Sequence, residues 1–129
     1  MEAIVEAIAT DVRYWAEGRS EREDLNGWCA RASAELFKQL NYRGIPAEIH
    51  AWVDGDDESA HVYVVVDDFV VDVTATQFRE FKNVPVLIMH MKEAEAHEFY
   101  RSVAVFKTVR ELRSWQKKGR WPPDQVAFK

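Results

Sequence analysis

Three residues in this chain have the types that nucleophilic cysteine chemistry needs: Cys29, His61 and Asp72. In that chemistry a thiolate attacks a carbonyl, a histidine shuttles the proton, and a carboxylate orients the histidine. Cys29 is the chain's single cysteine, so neither an internal disulfide nor a multi-cysteine zinc site is open to it. It stands in "LNGWCARASAELF", directly after Gly27-Trp28 and at the head of an apolar stripe with helical spacing. A helix N-terminus or a nearby imidazolium lowers a thiol's pKa from about 8.5 by several units. Taken alone, a helix cysteine is more often a small buried hydrophobe. The case for a nucleophile therefore rests on the other two residues.

Strand parity links them. "AHVYVVV" and "FVVDV" are β-branched runs separated by Asp67-Asp68, and they predict a hairpin. A two-residue turn opposes Tyr63 to Asp72 and His61 to Thr74. His61 and Asp72 then become diagonal neighbours on one face, with backbones roughly 6–8 Å apart. An odd-numbered loop would put them on opposite faces. A carboxylate interrupting an apolar strand needs a partner, and His61 is the nearest. The second ring nitrogen of His61 would then serve Cys29.

The elements that must position these residues follow from periodicity. Residues 2–17 carry Ile4, Val5, Ile8, Val12 and Trp15 at helical spacing, and a polar loop (17–27) leads to Cys29. A second helix is predicted from Cys29 to Asn41, with Asn41 and Gly44 as stop signals. After Pro46 the period drops to two, and "AEIHAWV" predicts a strand with His50 on its solvent-facing or rim side. Residues 54–59 read as a turn or loop, and the hairpin follows, with Gln77-Phe78 as its exit and Phe78 packing. "VPVLIMHM" (84–91) reads as a further strand that Pro85 limits to a sheet edge or to the strand's own start. Residues 92–102 and 108–119 look helical, the latter closed by Gly119 before Pro122-Pro123. The order predicts an α+β fold: N-terminal helices packed on a small antiparallel sheet, then a C-terminal helix.

Composition sets the outer limits. The 129 residues suit a single domain (1–129), and 47% hydrophobic with 30% charged residues is an ordinary globular balance. Five Trp and seven Phe imply aromatic packing, with Trp52, Trp115 and Trp121 read as core or rim residues. A net charge of −5 argues against a nucleic-acid or anionic-membrane surface. The basic C-terminal quarter reads as a solvated helix face. The N-terminal stretch lacks a basic n-region and no apolar run is long enough for a membrane span, so a cytoplasmic, reducing setting is expected. His90 and His97 have no ligand spacing, and "DGDDE" lacks the pattern of a calcium loop, so no metal or cofactor is expected.

Four short motifs in order carry a family resemblance: Gly27-Trp28-Cys29, Gly44-Ile45-Pro46-Ala47, His61-Val62-Tyr63-Val64 and Asp72-Val73-Thr74. Over residues 26–78 the chain resembles the core of the transglutaminase-like superfamily, part of the wider papain-like cysteine-enzyme fold. Val73 stands where proline is usual in that family. The resemblance implies a catalytic triad of Cys29, His61 and Asp72, with Cys29 attacking an amide and passing through a thioester. It also implies an oxyanion hole built from the nucleophile's own N–H and a second donor. Asn26, Trp28 and the backbone amides near them are the candidates for that donor, and Trp28 is alternatively a wall of the substrate channel. The expected function is a small cysteine hydrolase of peptidase, amidase or deamidase type, acting on a protein or peptide. The alternatives are acyl transfer to an amine (cross-linking) and a non-catalytic protein-binding module on the same scaffold.

Overall fold

The computed structural model describes residues 2–54 and 59–120. Helix α1 (Glu2–Glu17) and helix α2 (Cys29–Tyr42) come first. Strands β1 (Glu48–Val53), β2 (Ala60–Val66) and β3 (Phe69–Asp72) follow, then β4 (Leu87–His90), a single turn α3 (Met91–Ala94), β5 (Ala104–Phe106) and α4 (Val109–Trp115). All strands pair antiparallel in one sheet ordered β4-β3-β2-β1-β5. The expected α+β class, with the N-terminal helices against an antiparallel sheet, is what the described residues form.

Helix α2 begins at Cys29, as its stripe predicts. It buries Cys29, Ala32, Ser33, Leu36, Phe37 and Leu40 against the sheet, and Ser33 meets its polar need by donating from Oγ to the Val62 carbonyl at 3.0 Å. The helix ends on a reversal in which Gly44 takes φ 73° and Ile45 donates to the Leu40 carbonyl. Helix α1 packs on α2 through Val5, Ile8, Ala9, Val12 and Ala16, whereas Ile4 is exposed. On the sheet's other face a second cluster gathers Tyr63, Val65, Val70, Phe81, Leu87, Ala94 and Tyr100. Covered on both sides, β2 is buried at all seven positions.

The hairpin turn has two residues. Asp67 and Asp68 both adopt positive φ (47° and 65°), the signature of a type I′ turn, and β2 meets β3 as Val64↔Val71, Val65↔Val70 and Val66↔Phe69. The parity on which His61 and Asp72 depend is therefore the even one. Strand β4 lies at a sheet edge and is shorter than the 84–91 reading, beginning at Leu87 two residues after Pro85.

The chain departs from expectation after β4. The helix read over 92–102 is only the turn α3 and a 3₁₀ turn at Glu98–Tyr100. A short strand then follows that periodicity did not signal, β5, which adds to β1 and forms the other sheet edge. His50 differs as well: the face carrying it is covered, and the residue is only 6% exposed. Helix α4 is shorter than the 108–119 prediction and passes into a wider π-helical turn, Gln116–Arg120. Trp121 and Pro122-Pro123 lie outside the described residues.

Non-glycine residues in left-handed geometry cost about 1 kcal/mol or more each. Replacing Asp67→Asn together with Asp68→Gly is expected to raise stability by about 1 kcal/mol. The gain should be read as a later urea midpoint at unchanged slope; an unchanged or earlier midpoint would show that turn strain is not stored there.

Candidate active site

The approach to Cys29 is a tight reversal. Leu25 is held at φ 60° with its side chain fully buried, and Gly27 sits at φ 87°, a conformation in which glycine avoids the Cβ penalty. The Trp28 N–H donates to the Leu25 carbonyl at 3.0 Å. Helix α2 has no capping side chain and no acidic residue in its first turn, so nothing on the helix itself offsets the positive potential at Cys29.

The hairpin brings His61 and Asp72 together. His61 Nε2 lies 2.6 Å from Asp72 Oδ2, with the two side chains 0% and 1% exposed. Asp72 is saturated with donors. Its Oδ2 also accepts from the Tyr100 hydroxyl at 2.5 Å, and its Oδ1 accepts from the Thr74 N–H at 2.8 Å and the Thr74 hydroxyl at 3.2 Å. Tyr100 is itself placed by Tyr63, whose hydroxyl donates to the Tyr100 carbonyl at 2.9 Å. Cys29 comes within hydrogen-bonding reach of the same imidazole. Because Nε2 is held by Asp72, Nδ1 is the nitrogen left for the sulfur. The three residues singled out by type and parity are thus brought to one place.

Electrostatics follow from this geometry. Burial alone would push the His61 pKa down, but the charge and hydrogen bond of Asp72, and then Cys29, outweigh it and hold the imidazole up at about 9. For Asp72, burial would raise the carboxyl. The His61 charge and bond, with those from Tyr100 and the Thr74 backbone, overcome that and hold it below its ordinary value. Burial and then the Asp72 charge drive the Tyr100 phenol far upward, so it remains a protonated donor.

Several further participants surround the three residues; Gln77 and Phe78 read in the sequence only as the exit from the hairpin, and Arg13 not at all. Gln77 returns from a 3₁₀ turn (Ala75–Gln77) to place Nε2 3.3 Å from His61 Nδ1. Phe78 meets the His61 ring edge-on at 4.7 Å and stacks on Phe99 at 3.7 Å, a half-buried aromatic roof over the histidine. Arg13, 5% exposed on α1, donates to the Val73 carbonyl at 3.0 Å, Thr76 Oγ1 at 2.8 Å and the Glu23 carbonyl at 3.3 Å. Cys29 and His61 are both fully buried.

Asn26 and Trp28 lie beside the head of α2 and line an open hollow of about 330 Å³ with Arg19, Arg22, Arg31 and Glu21. The Asn26 N–H donates to Asp24 Oδ1 at 3.0 Å, while the Trp28 ring meets Trp15 edge-on and lies beneath the Arg31 guanidinium. No group of three or more His, Cys, Asp or Glu is arranged to hold a metal among the described residues. None of their helices is long and apolar enough to cross a membrane.

Comparison with known proteins gives no relative. No family model matches the chain, and neither the curated proteins nor the solved structures return a match. Function has to be argued from the site itself.

The ionisation of the pair makes a prediction. His61, held above its ordinary 6.5, stabilises the fold fully below pH 6.5 and loses that contribution as pH rises through about 9. Asp72, held below 3.8, contributes fully above pH 3.8 and loses its share as pH falls through its lower folded value. Stability is therefore expected to fall between pH 6.5 and 9 by an amount on the order of a few kcal/mol. His61→Gln should flatten that limb in thermal melts; a limb of equal size in the variant would assign it to other groups.

Proposed function

We propose that the protein is a small cysteine hydrolase of the transglutaminase-like, papain-like kind, cleaving amide bonds through a triad of Cys29, His61 and Asp72. The observation that carries this reading is the buried 2.6 Å contact between His61 Nε2 and Asp72 Oδ2, made by a histidine whose ring also interacts with the Cys29 thiol. A carboxylate with four donors has no acceptor capacity to spare and holds the imidazole in one orientation. Such fixing serves proton transfer at Nδ1, where position and tautomer decide the rate.

In this mechanism His61 carries the thiol proton at Nδ1 as an imidazolium, in keeping with a ring held up at about 9, and the sulfur attacks the substrate carbonyl as a thiolate. The tetrahedral intermediate collapses, the C–N bond breaks, and His61 returns the proton to the leaving amine. Water, deprotonated by the same ring, then releases the acid from the thioester and restores the thiol. Asp72 remains ionised throughout and stabilises the imidazolium. Cys29 is fully buried, and Phe78 and Phe99 cover His61, so the site requires opening for a substrate to enter. That same burial favours a second reading, a binding module that keeps the scaffold without turning over.

Iodoacetamide labelling of Cys29 across pH 5–9, with the adduct located by mass spectrometry, separates the two. An unassisted thiol loses roughly tenfold of its thiolate for each pH unit below about 8.5. Cys29 is expected to keep reacting well below pH 8, and His61→Ala to restore the steep loss. Gating by the roof lowers the absolute rate without changing this pH profile. Slow labelling with the ordinary profile in both proteins would falsify the enzyme reading.

A further inference from the structure

We propose that the hollow beside the head of α2 is a subsite for a carboxylate of an acidic peptide substrate, held by Arg22 and Arg31 about three residues from the amide attacked at Cys29. This inference rests on Cys29 being the nucleophile and concerns which peptides reach it.

The hollow runs against the charge of the chain. The protein carries a net −5, yet the side chains lining this open space of about 330 Å³ include three guanidiniums, of Arg19, Arg22 and Arg31, against one carboxylate, that of Glu21. It borders the end of α2 that carries the positive pole of the helix dipole, and the first turn brings no acid to offset it. Like charges gathered in one place repel each other, and an anion seated among them removes that cost.

Aromatic packing fixes two of the guanidiniums. Trp15 of α1 meets Trp28 edge-on, with ring centroids 5.9 Å apart. The Arg19 guanidinium lies over Trp15 and that of Arg31 over Trp28, each 4.9 Å from the ring centroid. Arg19 Nη1 also donates to the Trp15 carbonyl at 3.2 Å. A guanidinium carries five N–H donors along its edges, so one that is held by a ring and by neighbours keeps capacity for a carboxylate. Arg31 is half-buried and Arg22 exposed, which sets one fixed fork beside one on an open stem. Three cations in one hollow suit a carboxylate rather than a polynucleotide, whose backbone needs a basic stripe.

The span to the sulfur follows from helix geometry. Cys29 and Arg31 are two residues apart on α2, so their side chains leave the axis roughly 200° apart. Cys29 is buried in the core, whereas Arg31 lines the hollow. About a helix diameter, 10–12 Å, lies between such positions, and an extended peptide crosses it in about three residues. Trp28, the residue before Cys29, also lines the hollow, so the route between them passes the helix head. An acidic side chain next to the scissile amide would miss the arginines, and one about three residues away would meet them.

Binding and reaction are tested separately. Fluorescence polarisation compares a fluorescein-labelled hexapeptide of alternating alanine and glutamate with its glutamine counterpart. The acidic peptide is expected to bind about tenfold tighter. Arg22→Gln and Arg31→Gln should each remove most of that preference, and Arg31→Lys, which keeps the charge without the fork, should retain only part of it. Peptides with a chloroacetamide at one end or the other, and a single glutamate at the first to fourth position from it, then alkylate Cys29. The rate ratio of glutamate to glutamine should peak near the third position and fall toward one in both glutamine variants, while iodoacetamide labelling stays within about twofold. Melting curves identify folded variants, and the exposed Arg22 gives a substitution outside the core. Equal binding of the two hexapeptides, with Cys29 still labelled by iodoacetamide, overturns the subsite and leaves the nucleophile standing. A rate ratio that peaks at the first position, or a single-stranded oligonucleotide that displaces the acidic peptide at lower concentration, also overturns it. Acidic binding beside a Cys29 that no reagent alkylates would overturn the substrate role and the nucleophile reading together.

Discussion

A carboxylate that is 1% exposed survives in a protein interior only if its charge is met from every side, and Asp72 is met by four donors. Two come from Thr74, two residues on, and fix the way the chain leaves β3. Another comes from Tyr100, which ties the long return segment between β4 and β5 to the sheet. His61 supplies the fourth and is the only partner able to carry a positive charge. Removing one member leaves a charge uncompensated in low dielectric, which typically costs about 3–5 kcal/mol. Orientation of the imidazole, docking of residues 98–100 and the exit from the hairpin are therefore three results of one neutralisation.

Around this pair the packing is aromatic. The His61 ring lies flat against Tyr63 and meets Phe78, Phe99 and Tyr100 with their edges or faces. Such rings exclude water, which strengthens every charge interaction inside, and they also shut the site. Phe78 and Phe99 are the half-buried part of the enclosure: Phe78 links two 3₁₀ turns, and Phe99 sits in a third. Strand β2, buried along its whole length, is the fixed part.

What the sequence disclosed was local pattern. The helix head at Cys29 could be read from the Gly-Trp pair and a 3.6-residue stripe, and the His61–Asp72 face from a two-residue turn between β-branched runs. Tyr100 and Arg13 could not be read, and Gln77 was read only as part of the hairpin's exit, because each reaches the site through contacts that no periodicity encodes. Tyr100 arrives by way of residues 92–102, whose helix-like composition breaks into separate turns, and β5 follows in only three residues. For His50 the alternation gave the correct face but not that Tyr100 and its neighbours would cover that face. Asn26 and Trp28 were found by proximity in sequence to Cys29. Gln77, 48 residues further on, is nearer to the histidine, and only the fold could bring it there.

Arg13 joins what the chain order keeps apart. One guanidinium on α1 holds the Glu23 carbonyl, in the loop before Cys29, together with Val73 and Thr76, in the segment between Asp72 and Gln77. Thr76 closes the loop by donating to the Asp24 carbonyl at 3.1 Å. The N-terminal helix thus works as a caliper, setting the span between the loop that leads to Cys29 and the strand exit that follows Asp72. A shift of α1 by one turn along α2 would pull on both at a single stroke.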